Sequence, residues 1–111
     1  LPLNIDGAFV LEMEPHYDQR GYFSRSFCMK DFKLHGLSHQ FVHMSLSFNK
    51  HKGQVRGLHY QKTPHEETKI VRCTRGSIYD VIYDTRINSK SFGKFVVVKL
   101  SDVNGRALYI P

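Results

Sequence analysis

The segment QVRGLHYQ, residues 54 to 61, sets an arginine and a histidine either side of a Gly-Leu pair. His59 stands between Leu58 and Tyr60, a titratable ring in apolar company. Three chemistries are open to it. An imidazole, with an unperturbed pKa of about 6.5, can serve as a general base near neutrality. It can also ligate a metal, or it can be a hydrogen-bonded core ring. In a flat strand Arg56 and His59 point to opposite faces, because side chains alternate. A bulge or bend at Gly57 turns both toward one pocket and aims a cation and an imidazole at a single ligand.

Spacing tests the metal reading. Gly53, His59, Gln61 and Glu66 follow the frame G-x5-H-x-H-x4-E of the first cupin motif, with Gln61 where a second histidine belongs. One imidazole, a neutral amide and one carboxylate make a weak donor set for a divalent ion. The frame therefore points to the cupin arrangement without its metal. In FVHMSLSF, residues 41 to 48, His43, Ser45 and Ser47 alternate with Val42, Met44, Leu46 and Phe48. The polar side reads either as a solvent face or as the lining of a barrel mouth turned toward a ligand. Asp80, Asp84 and Arg86 read as a structural ion-pair set, and Tyr79 and Tyr83 as core or pocket wall. His16, His35, His39, His51 and His65 read as solvated surface, and Lys50, His51 and Lys52 as an exposed basic turn.

The elements that position these groups are short strands. Residues 8 to 13 begin an apolar strand, 16 to 22 form a polar turn, and 22 to 27 alternate in part. Met29, Phe32 and Leu37 fall near helical spacing, with Gly36 as a stop, so residues 29 to 37 hold a short helix. Strands are expected at 41 to 48, 54 to 61, 69 to 74, 77 to 85 and 94 to 101, with a last one leading on from RALYI. The strands at 69 to 74 and 77 to 85 flank Arg75-Gly76 as a hairpin, and Asn104-Gly105 marks another turn. Strand following strand predicts an antiparallel all-β domain, a sandwich or jelly roll.

Composition bounds the partners. A chain of 111 residues is expected to form one domain around one core. Sixteen Lys and Arg against ten Asp and Glu give a formal charge of +6, which favours an anionic partner. No basic block of five residues occurs, so a nucleic-acid tail is not expected. Cys28 and Cys73 lie outside any C-x-x-C pattern and are expected as free thiols of a cytosolic protein. No apolar run reaches the roughly 18 residues of a membrane span, and LPLNIDGAFV lacks the pattern of a signal peptide. RALYIP stops in mid-pattern at Pro111, which predicts a fold extending beyond these residues.

Seven motifs carry a resemblance that runs through nearly the whole chain: DQRGYF (18 to 23), FVHMSLS (41 to 47), VRGLHYQ (55 to 61), KIVRC (69 to 73), GSIYDVIYDTR (76 to 86), SFGK (91 to 94) and LSDVNGRALYIP (100 to 111). With these the chain resembles the dTDP-4-dehydrorhamnose 3,5-epimerase family, metal-free cupins of deoxysugar nucleotide biosynthesis. The resemblance implies an antiparallel cupin jelly roll with one short helix, truncated at its C-terminal side. It implies a cytoplasmic homodimer that exchanges strands near the N-terminus, with no metal or cofactor and no nucleic-acid or membrane partner. The implied substrate is a dTDP-linked 4-keto-6-deoxyhexose.

Residue by residue, the resemblance makes His59 the general base and sets Lys69 beside the sugar carbonyl. It places Arg56 on the nucleotide diphosphate. Arg20 contacts substrate across the dimer interface, with Phe23 nearby. The chemistry is coherent: a C–H beside a ketone needs a base of near-neutral pKa, and the enolate needs a cation. Arginine forks match diphosphate oxygens. This chain departs from the family at Arg25, where the family has Glu, at His43 for Gln, and at Ser45 for Asn, and its loop from Ser47 to Arg56 is one residue longer. Those positions line the nucleotide or sugar site, so Arg25, His43 and Ser45 bear on the sugar taken and the number of carbons inverted. In the family, a Gly-Phe-Ala-His-Gly-Phe segment, the Tyr that acts as acid and the Asp that orients the base lie beyond the equivalent of Pro111. Residues 1 to 111 thus carry half of the family's active site. Two alternatives stand beside the double epimerase: a single-carbon epimerase or ketoisomerase of a related sugar nucleotide, and a non-catalytic sugar-nucleotide-binding fragment.

Overall fold

A computed structural model describes all residues from Leu1 to Pro111. The chain forms two compact units, one of residues 1–27 and 68–111, the other of residues 28–67. In the first lie β1 (Phe9–Leu11), β2 (His16–Asp18), β3 (Gly21–Phe23), β4 (Lys69–Arg72), β5 (Ser77–Tyr83), β6 (Phe95–Ser101) and β7 (Ala107–Ile110). The second holds a single helix, α1 (Met29–Leu34).

Every ladder is antiparallel. One sheet has the order β1-β7-β4, and β5 pairs with β6 in a second. Alternation decides which faces are buried. Along β5, Ile78, Asp80 and Ile82 turn inward and Ser77, Tyr79, Val81 and Tyr83 outward; along β6, Val96, Val98 and Leu100 turn inward. These residues meet Val10, Val71, Leu108 and Ile110 of the first sheet, with Ile5, Ala8 and Cys73 completing the core. Leu100 and Leu108 are fully buried at its centre. Each contributes about 1.5–3 kcal/mol by leaving water. Lys69 pairs with Ile110 and stands two residues from Val71, so it shares the core-facing side of β4.

The expected hairpin between 69 to 74 and 77 to 85 does not form: β4 pairs with β7 and β5 with β6. A two-residue type I′ turn needs positive φ at both central positions. At Arg75-Gly76 only the glycine has it, at +79°. Residues 73 to 76 instead carry the chain from one sheet to the other, fixed by the Gly76 N–H donating to Asp102 Oδ2 at 3.0 Å. Asn104-Gly105 is likewise a crossing rather than a hairpin. There the Asn104 carboxamide accepts from Ser101 N (3.1 Å) and Arg106 N (3.0 Å) and donates to the Lys99 carbonyl (3.0 Å).

Other expectations are corrected too. Residues 16 to 22, read as a turn, are the hairpin of β2 and β3 with only Gln19 and Arg20 at its tip. The segments 41 to 48 and 54 to 61 form no strands. Their alternation separates no buried face, since Val42, Met44, Leu46, Phe48, Val55, Leu58 and Tyr60 are all exposed. A strand exists through its ladder, and no segment here pairs with them. Tyr79 and Tyr83, read as core or pocket wall, lie on the outer face of β5, 72% and 49% exposed. The helix forms as expected, with Phe32 buried and Gly36 just past its end at φ +68°. Both cysteines are free, and no helix is long and apolar enough to cross a membrane.

One polar cluster is buried. Asp84 accepts from Arg86 Nε and Nη2 (both 2.8 Å), from Ser89 Oγ (2.6 Å) and from Ser91 Oγ (2.5 Å). Arg86 Nη2 also donates to the Asp6 carbonyl (2.6 Å), and the Asp6 N–H donates to Ser91 Oγ (2.7 Å). The cluster fastens the N-terminal turn to the loop after β5. Hydrogen bonds from Arg86, then from the two serines, hold the Asp84 carboxyl far below the usual carboxylate range, against the opposing effect of burial. A carboxyl depressed in the folded state stabilises fully above its unfolded pKa of about 3.9, and that contribution is lost as pH falls toward the folded value. Asp84→Asn is therefore expected to cost roughly 1–3 kcal/mol at pH 7. Denaturant titrations from pH 5 to 2 should give a shallower acid decline for the variant than for the unsubstituted protein; parallel declines contradict the assignment.

Candidate functional site

In the first unit the β2–β3 tip presents Arg20. Asp18 accepts from the Arg20 N–H (2.8 Å), from Nη2 (2.6 Å) and more distantly from Nε (3.2 Å). An Asp accepting from the backbone two residues on is the local bond that closes such a turn. The Arg20 side chain nonetheless stays 90% exposed. Its hydrogen bond holds the Asp18 carboxyl below the ordinary carboxylate range. Asp18, Arg20, Gly21, Tyr22 and Phe23 line an open hollow of about 270 Å³. The hairpin register puts His16, Asp18 and Phe23 on one face and Tyr17 and Tyr22 on the other, their rings 5.6 Å apart. A cation beside a solvent-facing aromatic ring can take an anionic group joined to a flat ring. Arg25 follows β3 and is exposed. Lys69 opens β4, half-buried on its core-facing side.

In the second unit the chain turns at Gly57, where φ is +92°, a region natural only to glycine. A Cβ at 57 would lie 3.0 Å from His59 Nδ1 and 3.3 Å from its backbone nitrogen, so the imidazole sits folded back on the glycine. The bend expected between Arg56 and His59 is therefore present, although the segment is not a strand. Arg56 Nε donates to Asn49 Oδ1 at 2.7 Å and Nη2 to the Phe48 carbonyl at 2.9 Å. His43, Ser45, Arg56 and His59 are all solvent-exposed. Glu66 is bound by the Thr63 hydroxyl, which lowers its carboxyl below the ordinary range. No three His, Cys, Asp or Glu side chains converge into a metal-binding group.

The structure thus gathers Arg20 and Phe23 on one hairpin, with Arg25 just beyond and Lys69 on β4 of the same unit. His43, Ser45, Arg56 and His59 belong to the other unit. Two partners escaped the sequence reading. Asp18 belongs to the quoted DQRGYF, where an acid two residues ahead of an arginine was the available signal. Asn49 directly precedes the basic turn of Lys50, His51 and Lys52, and nothing in the spacing marks it as the acceptor for Arg56.

The close approach at Gly57 is testable. Gly57→Ala should displace the His59 ring and cost about 1–2 kcal/mol through the backbone conformation. Ring-nitrogen chemical shifts of His59 should move by NMR; unchanged shifts would mean that the glycine does not position the imidazole.

The model of the family described as dTDP-4-dehydrorhamnose 3,5-epimerase matches residues 2–111. The dTDP-4-dehydrorhamnose 3,5-epimerase of Methanothermobacter thermautotrophicus is 41% identical over 108 residues, covering 97% of this chain and 57% of that protein. A dTDP-4-dehydro-6-deoxyglucose 3-epimerase of Streptomyces bikiniensis is 34% identical over 113 residues, covering 98% of this chain and 56% of that protein. The crystal structure of dTDP-4-dehydrorhamnose 3,5-epimerase from Bacillus anthracis, with TDP and PPi bound, superposes with a TM-score of 0.95 at 37% identity, covering 100% of this chain and 63% of that one. This chain spans a little over half the length of these relatives. Its strands are those of the cupin jelly roll over that span.

Proposed function

This chain belongs to the dTDP-4-dehydrorhamnose 3,5-epimerase family, and on that premise we propose that it binds a dTDP-linked 4-keto-6-deoxyhexose and epimerises it by removing a proton beside the ketone. The observation that carries the reading is the turn at Gly57, which sets the His59 imidazole against the glycine, next to an Arg56 that is anchored through its side edge to Asn49 and Phe48. His59 takes the C–H proton and the electron pair moves onto the carbonyl oxygen. The Lys69 ammonium stabilises that oxyanion, and return of a proton to the opposite face inverts the carbon. Arg56 and Arg20 hold the diphosphate, and Phe23, Arg25, His43 and Ser45 line the nucleotide and sugar. In this reading residues 1–111 are part of one cupin domain of a cytoplasmic homodimer. The dTDP-4-dehydrorhamnose 3,5-epimerase from Bacillus anthracis, solved with TDP and PPi, supports a nucleotide diphosphate as the ligand.

A second reading is inversion of one carbon only. It is favoured by the likeness to the Streptomyces 3-epimerase and by the departures at Arg25, His43 and Ser45. A third reading is binding without turnover. Incubation with the 4-keto sugar nucleotide in deuterium oxide separates them. Exchange at C3 and C5 supports the double epimerase, exchange at one carbon the second reading, and binding without exchange the third. For the first, His59→Asn should abolish exchange while leaving nucleotide affinity within about tenfold, whereas Arg56→Ala weakens binding first. Full exchange in His59→Asn would require another base.

A further inference from the structure

The two arginines assigned to the diphosphate are held differently. A guanidinium has a side edge, Nε with one N–H of Nη2, and an end fork, Nη1 with the other N–H of Nη2. Arg20 gives its side edge to the carboxylate of Asp18, a pair with no net charge. Arg56 gives its side edge to two neutral acceptors, Asn49 Oδ1 at 2.7 Å and the Phe48 carbonyl at 2.9 Å. It therefore keeps its whole charge and an unused end fork, which matches two oxygens of a phosphate. Phe48 contributes a backbone oxygen that any residue supplies. Asn49 is the only side chain in the arrangement.

We infer that Asn49 is a positioning residue for anion binding, fixing the Arg56 side chain without neutralising it and so presenting its end fork to the diphosphate of a nucleotide. This rests on the proposed role of Arg56. An unanchored arginine must surrender its rotamer freedom on binding, and a neutral anchor removes part of that cost in advance. A carboxylate at the same place would anchor equally well but repel the incoming anion.

Titration calorimetry with dTDP on the full chain tests it. Asn49→Ala should weaken binding about tenfold with the midpoint of thermal unfolding unchanged, since the turn is exposed. In an Arg56→Ala background the same substitution should have no further effect, because a positioning residue acts only through the group that it positions. Asn49→Asp should bind dTDP more weakly than Asn49→Ala. Equal losses in both backgrounds would assign Asn49 a structural role and overturn the inference. So would unaltered affinity in Asn49→Ala, or Asn49→Asp binding as well as the unsubstituted protein. Failure of the unsubstituted chain to bind dTDP would overturn the diphosphate reading itself, and this inference with it.

Discussion

The first unit depends on the burial of two sheet faces against each other around Leu100 and Leu108. Neither sheet is self-sufficient. A two-stranded ribbon such as β5–β6 is marginal in water, and it covers the face of β1-β7-β4 that carries Val10, Val71, Leu108 and Ile110. Facing each other, they exclude water from a single layer of Val, Ile and Leu side chains. This constraint explains the connections. The chain must change sheets after β4 and again after β6, and it does so at turns closed by Asp102 and Asn104 rather than by tight hairpins. It also fixes the side of Lys69. Once Val71 is committed to the core, the residue two positions earlier points the same way, so an ammonium opens the strand on its inner side.

The legible part of the fold is the part whose alternation is answered by burial. Strands β5 and β6 follow the pattern as far as Leu100, and the helix ends two residues before its glycine. Pairing is less legible, because period-2 alternation names a buried face but no neighbour. Arg75-Gly76 sits between two strands as a hairpin turn would, and it is the pairing of β4 with β7 and of β5 with β6 that decides against one. Residues 41 to 48 show the converse failure. Their alternation is as regular as that of β6, yet Met44 and Leu46 are almost fully exposed. Alternation records what a segment can bury if a ladder forms, and the ladder is a property of other residues.

The candidate groups stand out in the sequence, and the partners that hold them do not. Arginine, imidazole and lysine stand out in a sequence because few positions demand them. The RGLHYQ stretch shows both the imidazole proposed as the base and the glycine against which it lies. The supporting acceptors carry no such mark: Asp18 and Asn49 are residue types found in any turn. Tyr79 and Tyr83 misled in the opposite direction. Large aromatic side chains favour strands of either face, so their presence in β5 says nothing of which side is covered.

The contrast between Arg20 and Arg56 bears on how a basic chain becomes a selective one. A formal charge of +6 draws any anion toward the surface, and salt screens that attraction over about 10 Å at 0.1 M. Selectivity needs donors whose direction is settled before the ligand arrives. Arg20 obtains this from a carboxylate at the cost of net charge, and Arg56 from an amide and a carbonyl without that cost. The first arrangement favours a ligand that brings apolar surface to Phe23 as well as charge, because a neutralised pair attracts a bare anion weakly. The second favours charge itself. A nucleotide diphosphate offers both, a flat ring and a dense cluster of anionic oxygens.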